Sequence, residues 1–131
     1  MKTLISNVAI SFIFIFLLNK IASAAPINAF IDNVTPPQNA INVNKSSNID
    51  IVFVQAMNAS TINSSNIKVF GLQTGILTTS ISYNAGTKTA TINPSNDFKV
   101  GEKISITLTS GIKTGTNAAI LQLLSHLLLS H

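Results

Sequence analysis

Apolar and polar residues alternate in short runs through the middle of the chain, and the runs break at Pro, Gly and Asn. The densest run is Ile49 to Met57, read Ile-Asp-Ile-Val-Phe-Val-Gln-Ala-Met. Ile49, Ile51 and Phe53 fall on one face at strand spacing, while Val52 and Val54 partly fill the other and Asp50 marks that face as partly wet. A run this rich in β-branched and aromatic residues predicts a central strand. The cleanest alternation is Lys103 to Thr109, with Ile104, Ile106 and Leu108 facing in and Ser105, Thr107 and Thr109 facing out.

Weaker runs supply the rest of a sheet structure. Ile27 to Val34 predicts a first strand, stopped by Pro36-Pro37 because proline has no donor for a ladder. Asn39 suits a left-handed turn position. Ile41 and Val43 give a short alternating continuation, and Asn44 to Asn48 is turn-like. Asn58 to Asn63 predicts a single helical or 3₁₀ turn. Ile67 and Val69 mark a strand ending near Gly71. Leu77 to Tyr83 and Lys88 to Asn93 predict a hairpin through Asn84-Ala85-Gly86-Thr87, with Gly86 in the left-handed position. Phe98, Val100 and Gly101 form a corner before Lys103. Short strands at intervals near ten residues predict an all-β, immunoglobulin-like antiparallel β-sandwich of about seven strands.

The two ends depart from this pattern. Met1 to Ala24 reads as a secretory signal peptide: Lys2, then the apolar stretch Val8 to Leu18, then Ala22-Ser23-Ala24 as a cleavage site. An uncleaved anchor is the alternative, but the apolar run is shorter than the roughly twenty residues that span a bilayer. The expected organisation is therefore a leader over 1–24, a sandwich over 25–119 and an apolar tail over 120–131. The tail is leucine-rich without alternation, and three readings of it stay open. It forms a short helix or irregular last strand over the sandwich edge, or it marks a truncated remnant whose last strand is missing, or it docks on a partner. A missing last strand would leave a neighbouring edge open to strand addition by another chain.

Composition narrows the chemistry. Only 9% of the 131 residues are charged, every base is lysine, and there is no cysteine. The formal charge of +4 falls to +2 without Lys2 and Lys20. Scattered lysines with no arginine argue against nucleic-acid binding. The acids are Asp32, Asp50, Asp97 and Glu102. Asp97 and Glu102 flank the Phe98 corner and are either loop neighbours or solvated loop acids. A calcium ion there would need more oxygen ligands than two carboxylates. His126 and His131, both in the tail, lack further ligands nearby. No histidine within the sandwich stands ready to activate a serine. No catalytic, cofactor-binding or metal-binding residue is identified, and no cofactor is expected.

Tyr83, Phe53 and Phe98 are expected in the core. Phe70 breaks the alternation beside Val69 and is expected to pack under the Gly71–Gly75 loop, with exposure as the alternative. Four Asn-x-Ser/Thr sequons begin at Asn33, Asn44, Asn58 and Asn63; they would be glycan candidates in a eukaryotic secretory route, but chance in a chain rich in these residues is the better explanation.

In order and spacing, these elements resemble the SbsA-type bacterial Ig-like domain (Big_5). Pro36 to Asn39 matches its proline turn. Ile49, Ile51, Phe53 and Met57 match its strand and methionine-bearing turn, and Tyr83 with Lys88 to Pro94 matches its hairpin. Gly101, Ile104, Ile106 and Leu108 match its penultimate strand, and Gly111-Ile112 with Asn117 match part of its last loop. Asn39 stands where that family has Gly, Ile104 where it has Tyr, and Thr114 where it has Asp. The resemblance covers Ile27 to Ala119. It implies a non-catalytic exported module of a bacterial surface or secreted protein, acting as a structural spacer or an adhesion domain. Its partners would be other domains or surface proteins, and its location secreted, periplasmic or cell-surface. The alternative is a carbohydrate-binding or enzyme-accessory module, which few aromatics and no tryptophan disfavour. The copper-resistance type of exported sandwich needs a histidine at the mature N-terminus, where this chain has Ala25-Pro26-Ile27.

Overall fold

The computed structural model describes residues 30–120 and 127–130. The expected leader, the residues Ile27 and Ala29 of the expected first strand, and the two histidines lie outside that range.

The strand at Ile49–Phe53 (β2) is central because it is flanked on both sides. It pairs with Ile31–Thr35 (β1) on one edge and with Thr89–Pro94 (β6) on the other. Ile49, Ile51 and Phe53 are fully buried, as period-two alternation requires. On the opposite face the Thr91 hydroxyl donates to the Asp50 carboxylate at 2.6 Å, across the register pair Asp50–Thr91. Thr79–Asn84 (β5) completes an antiparallel sheet in the order β1-β2-β6-β5.

The second sheet runs β4-β3-β7-β8, where β3 is Ile67–Gly71, β4 is Gly75–Ile76, β7 is Lys103–Leu108 and β8 is Leu127–Ser130. All its pairings are antiparallel. Ile67 and Val69 from β3 and Ile104, Ile106 and Leu108 from β7 meet Ile49, Ile51, Phe53, Ala90 and Ile92 from the first sheet in one core. Phe98, Met57, Ile112 and Ile120 close its ends. This is the expected Ig-like sandwich, with eight strands among the described residues where about seven were expected, one of them only two residues long.

The C-terminal tail supplies a last strand. β8 pairs with β7 from Ile106–Leu127 to Lys103–Ser130. The edge of β7 is therefore paired, and the sandwich does not lack its final strand. Of the three readings of the tail, the one that places a strand over the sandwich edge describes residues 127–130.

Other expectations need correction. No strand forms at Ile41 and Val43. Ile41 is 73% exposed and Asn42 is left-handed with φ 58°, so alternation there belongs to a loop. Asn39 is left-handed as expected, with φ 62°. In the hairpin the left-handed residue is Lys88, with φ 55°, and not Gly86. The Asn84 side chain makes the bend by accepting from the N–H groups of Gly86 and Thr87, at 2.9 and 3.2 Å. Lys88 then turns the chain so that its carbonyl meets the Phe53 N–H at 2.9 Å. Phe70 is exposed and does not pack under the following loop. Strand parity gives the inner face to Ile67, Val69 and Gly71, and a carboxylate fills the space under the loop.

Candidate functional site

The polar groups that sequence reasoning weighed are dispersed. Asp97 pairs with Lys45 at 3.1 Å on an exposed loop. Glu102, by contrast, is wholly buried. The two acids flank one corner but do not share a site, and Glu102 is not a solvated loop acid. Among the described residues no group of three histidine, cysteine or acidic side chains stands close enough to hold a metal ion.

Glu102 is the most unusual side chain described. Burying a carboxylate costs several kcal/mol unless donors replace its water. Here the donors come from two segments. One oxygen accepts from the backbone N–H groups of Gln73 and Thr74 at 3.0 and 2.6 Å, and the other accepts from the Thr74 hydroxyl and the Lys99 N–H, both at 3.1 Å. Burial alone would raise the Glu102 pKa. The bonds from Lys99, Thr74 and Gln73 outweigh it and hold the carboxyl below its ordinary value of 4.5. Room for the carboxylate depends on Gly71, where a Cβ would collide with it. Glu102 therefore clamps the β3–β4 turn to the corner before β7. With donors on both oxygens it serves as an acceptor that ties two loops together.

A second polar cluster organises the opposite end. Asn58 caps the 3₁₀ turn Ala59–Thr61, accepting from the Ser60 N–H at 3.1 Å. Its amide donates to Asn117 at 2.6 Å, fixing the last loop to that turn. Asn66 donates to the Thr61 carbonyl at 2.9 Å and accepts from the Thr109 hydroxyl at 3.1 Å. Gly111 faces the Asn66 amide so closely that a Cβ would collide with it. Nearby, the Tyr83 hydroxyl accepts the Met57 N–H at 2.8 Å, and its ring meets Phe53 edge-on at 6.2 Å.

Three of the four sequons acquire a structural reason. In Asn44-Lys-Ser, Asn58-Ala-Ser and Asn63-Ser-Ser the asparagine oxygen accepts from the backbone N–H two residues on, at 3.0, 3.1 and 2.9 Å. These are Asx turns, for which this residue pattern is well suited.

Two shallow clefts lie on the described surface. One, of about 190 Å³, lies beside β3 between Lys68, Val69 and Leu77. The other, of about 200 Å³, surrounds the Lys45–Asp97 pair. Neither is lined by a histidine. The signal for Glu102 in the sequence was only an acid beside Gly101 at the start of a buried strand, and its donors lie 28 and 29 residues away in Thr74 and Gln73.

The family model for the bacterial Ig-like domain (Big_5) matches residues 26–124. Among solved structures, surface layer protein SbsC, domains 1–6, superposes with a TM-score of 0.57 at 16% identity, over 77% of this chain and 13% of that one. The N-terminal part of the bacterial S-layer protein SbsC gives a TM-score of 0.58 at 16% identity, over 77% of this chain and 23% of that one. The chain thus spans under a quarter of the length of either, and at this identity the likeness is one of fold. No curated protein matches the chain in sequence.

Proposed function

The chain belongs to the bacterial Ig-like domain family, and from that premise we propose that it is a non-catalytic structural spacer or adhesion module of an exported bacterial surface or secreted protein. The observation that carries this reading is where the ordered polar side chains go. Glu102, Asn58, Asn63 and Asn66 all hold the chain's own loops. What remains for contact with other molecules is sheet faces, loop tips and the outer margins of β1, β5, β4 and β8. Such surfaces bind other domains or surface proteins without covalent chemistry, in part by strand addition at a sheet margin. The likeness in fold to S-layer domains supports a place at the cell surface. A carbohydrate-binding role would call for a row of aromatic side chains on one sheet. Among the described residues, Phe70 is the one aromatic of the large hydrophobic residues that are exposed.

Export is the testable core of the proposal. The full chain, expressed from Met1 in a bacterial host and detected with an antibody to the sandwich, should be recovered outside the cytoplasm with a mature N-terminus at Ala25. Recovery in the cytosol with Met1 to Ala24 still attached would overturn it.

A further inference from the structure

The outer face of the β4-β3-β7-β8 sheet has a composition that the core does not explain. Strand parity places Lys68 and Phe70 of β3 outward. The register pair Phe70–Ile76 puts Ile76 on the same face, and Phe70–Ser105 brings β7 alongside with Lys103 two residues before Ser105. Leu72 follows Phe70 by two residues, and its N–H is tied to the Lys103 carbonyl at 3.0 Å. Phe70, Leu72 and Ile76 are 46%, 70% and 78% exposed. Lys68 and Lys103 are exposed beside them.

Among the described residues, charge on this face has one sign. Of the acids, Asp32 and Asp50 belong to β1 and β2 in the other sheet, Asp97 is paired with Lys45, and Glu102 is buried beneath the β3–β4 turn. Among the described residues the face therefore offers cations and large apolar groups with no exposed carboxylate between them.

From this juxtaposition we infer that the outer face formed by Lys68, Phe70, Leu72, Ile76 and Lys103 docks on an anionic phospholipid bilayer. Lysine stems lie along apolar surface while their ammonium groups reach headgroup phosphates. Exposed Phe, Leu and Ile side chains enter the headgroup and acyl boundary. A soluble polyanion would use the lysines and leave the three apolar side chains without a role. A second copy packed face to face would bring Lys68 and Lys103 of both copies into one interface, with no carboxylate among the described residues of the face to pair them. The inference rests on the reading of this domain as an exported interaction module and names one surface it meets.

The test uses the chain from Ala25 onward, which contains every described strand and core residue, in co-sedimentation with vesicles. Wild type should partition onto vesicles of equal parts phosphatidylglycerol and phosphatidylcholine at least about tenfold more than onto phosphatidylcholine alone. High salt should weaken that preference. Lys68→Glu with Lys103→Glu should lower binding at least about tenfold, and Phe70→Ser with Ile76→Ser about as much. Lys88→Glu, in the β5–β6 turn of the other sheet, should leave it unchanged, and each variant should keep the wild-type thermal transition. Equal partition onto both vesicle types, or folded face variants that bind like wild type, would overturn the inference. So would binding to polyglutamate that the Phe70 and Ile76 changes leave intact, or a dimer in sedimentation that those changes abolish. A chain that is exported and folded but ignores vesicles would overturn this inference and leave the spacer reading standing. Retention in the cytosol would instead remove that reading.

Discussion

Phe53 and Glu102 are both withdrawn from solvent, one at the end of β2 and the other at the corner before β7. Phe53 is held by apolar neighbours from both sheets, and much of its stabilisation scales with the area it removes from water. Many different neighbours could supply that area. Glu102 is held by directed donors at fixed places, and no hydrophobic neighbour could substitute for them. Hydrophobic burial is non-directional and tolerant, whereas burial of a charge is conditional on geometry. The two residues show how one sandwich fixes its centre by area and its loops by hydrogen bonds.

The largest expected effect tests the first half of that comparison. Phe53→Ala should destabilise the fold by about 3–5 kcal/mol in urea denaturation. A loss under about 1 kcal/mol would break the assignment of Phe53 to the core.

Glu102→Gln probes the other half and should cost about 2 kcal/mol, because an amide N–H would face backbone donors and the charge-assisted bonds would weaken. The same variant has a pH signature. The folded-state pKa lies below 4.5, so the stabilisation from Glu102 is fully present above that value and is lost as pH falls through the lower folded pKa. Wild type should therefore lose stability more steeply than Glu102→Gln below about pH 4.5. Parallel acid limbs would show that the carboxylate's bonds contribute nothing.

Gly111→Ala sharpens the comparison at the opposite end, where the Asn66 amide occupies the space a Cβ would need. Overpacking there should cost about 1–2 kcal/mol by thermal denaturation, and Asn66→Ala in the same chain should recover part of it. Tyr83→Phe should have the smallest effect, about 1 kcal/mol or less, since it removes one hydroxyl acceptor from the Met57 N–H and keeps the ring against Phe53. A loss as large as that of Phe53→Ala would place Tyr83 at the centre of the core instead of its margin.

The same contrast explains what could be read from the chain. β2, β3, β6 and β7 were legible because each writes its burial into its own alternation: Ile49, Ile51 and Phe53, or Ile104, Ile106 and Leu108. Ile41 misled because Asn42, left-handed between Ile41 and Val43, bends the backbone away from extension. Glu102 was opaque because its donors sit on a turn whose approach depends on the pairing of β3 with β7. The Asn-x-Ser triplets were visible but attributed to chance, although each holds a turn through its own asparagine oxygen. β8 was the hardest element, since three consecutive leucines carry no inward and outward code and only pairing with β7 makes them a strand.

The placement of β1 and β8 has a mechanical consequence. The first described strand borders one sheet and the last borders the other, while β2, β6, β3 and β7 lie inside. Tension entering along the backbone from both directions reaches the β1–β2 and β7–β8 ladders before it reaches the interior pairings. The border strands are therefore expected to extend while the central four still share their core. Single-molecule extension should show a short early lengthening ahead of the main rupture, and one undivided rupture would show that the borders hold as firmly as the centre.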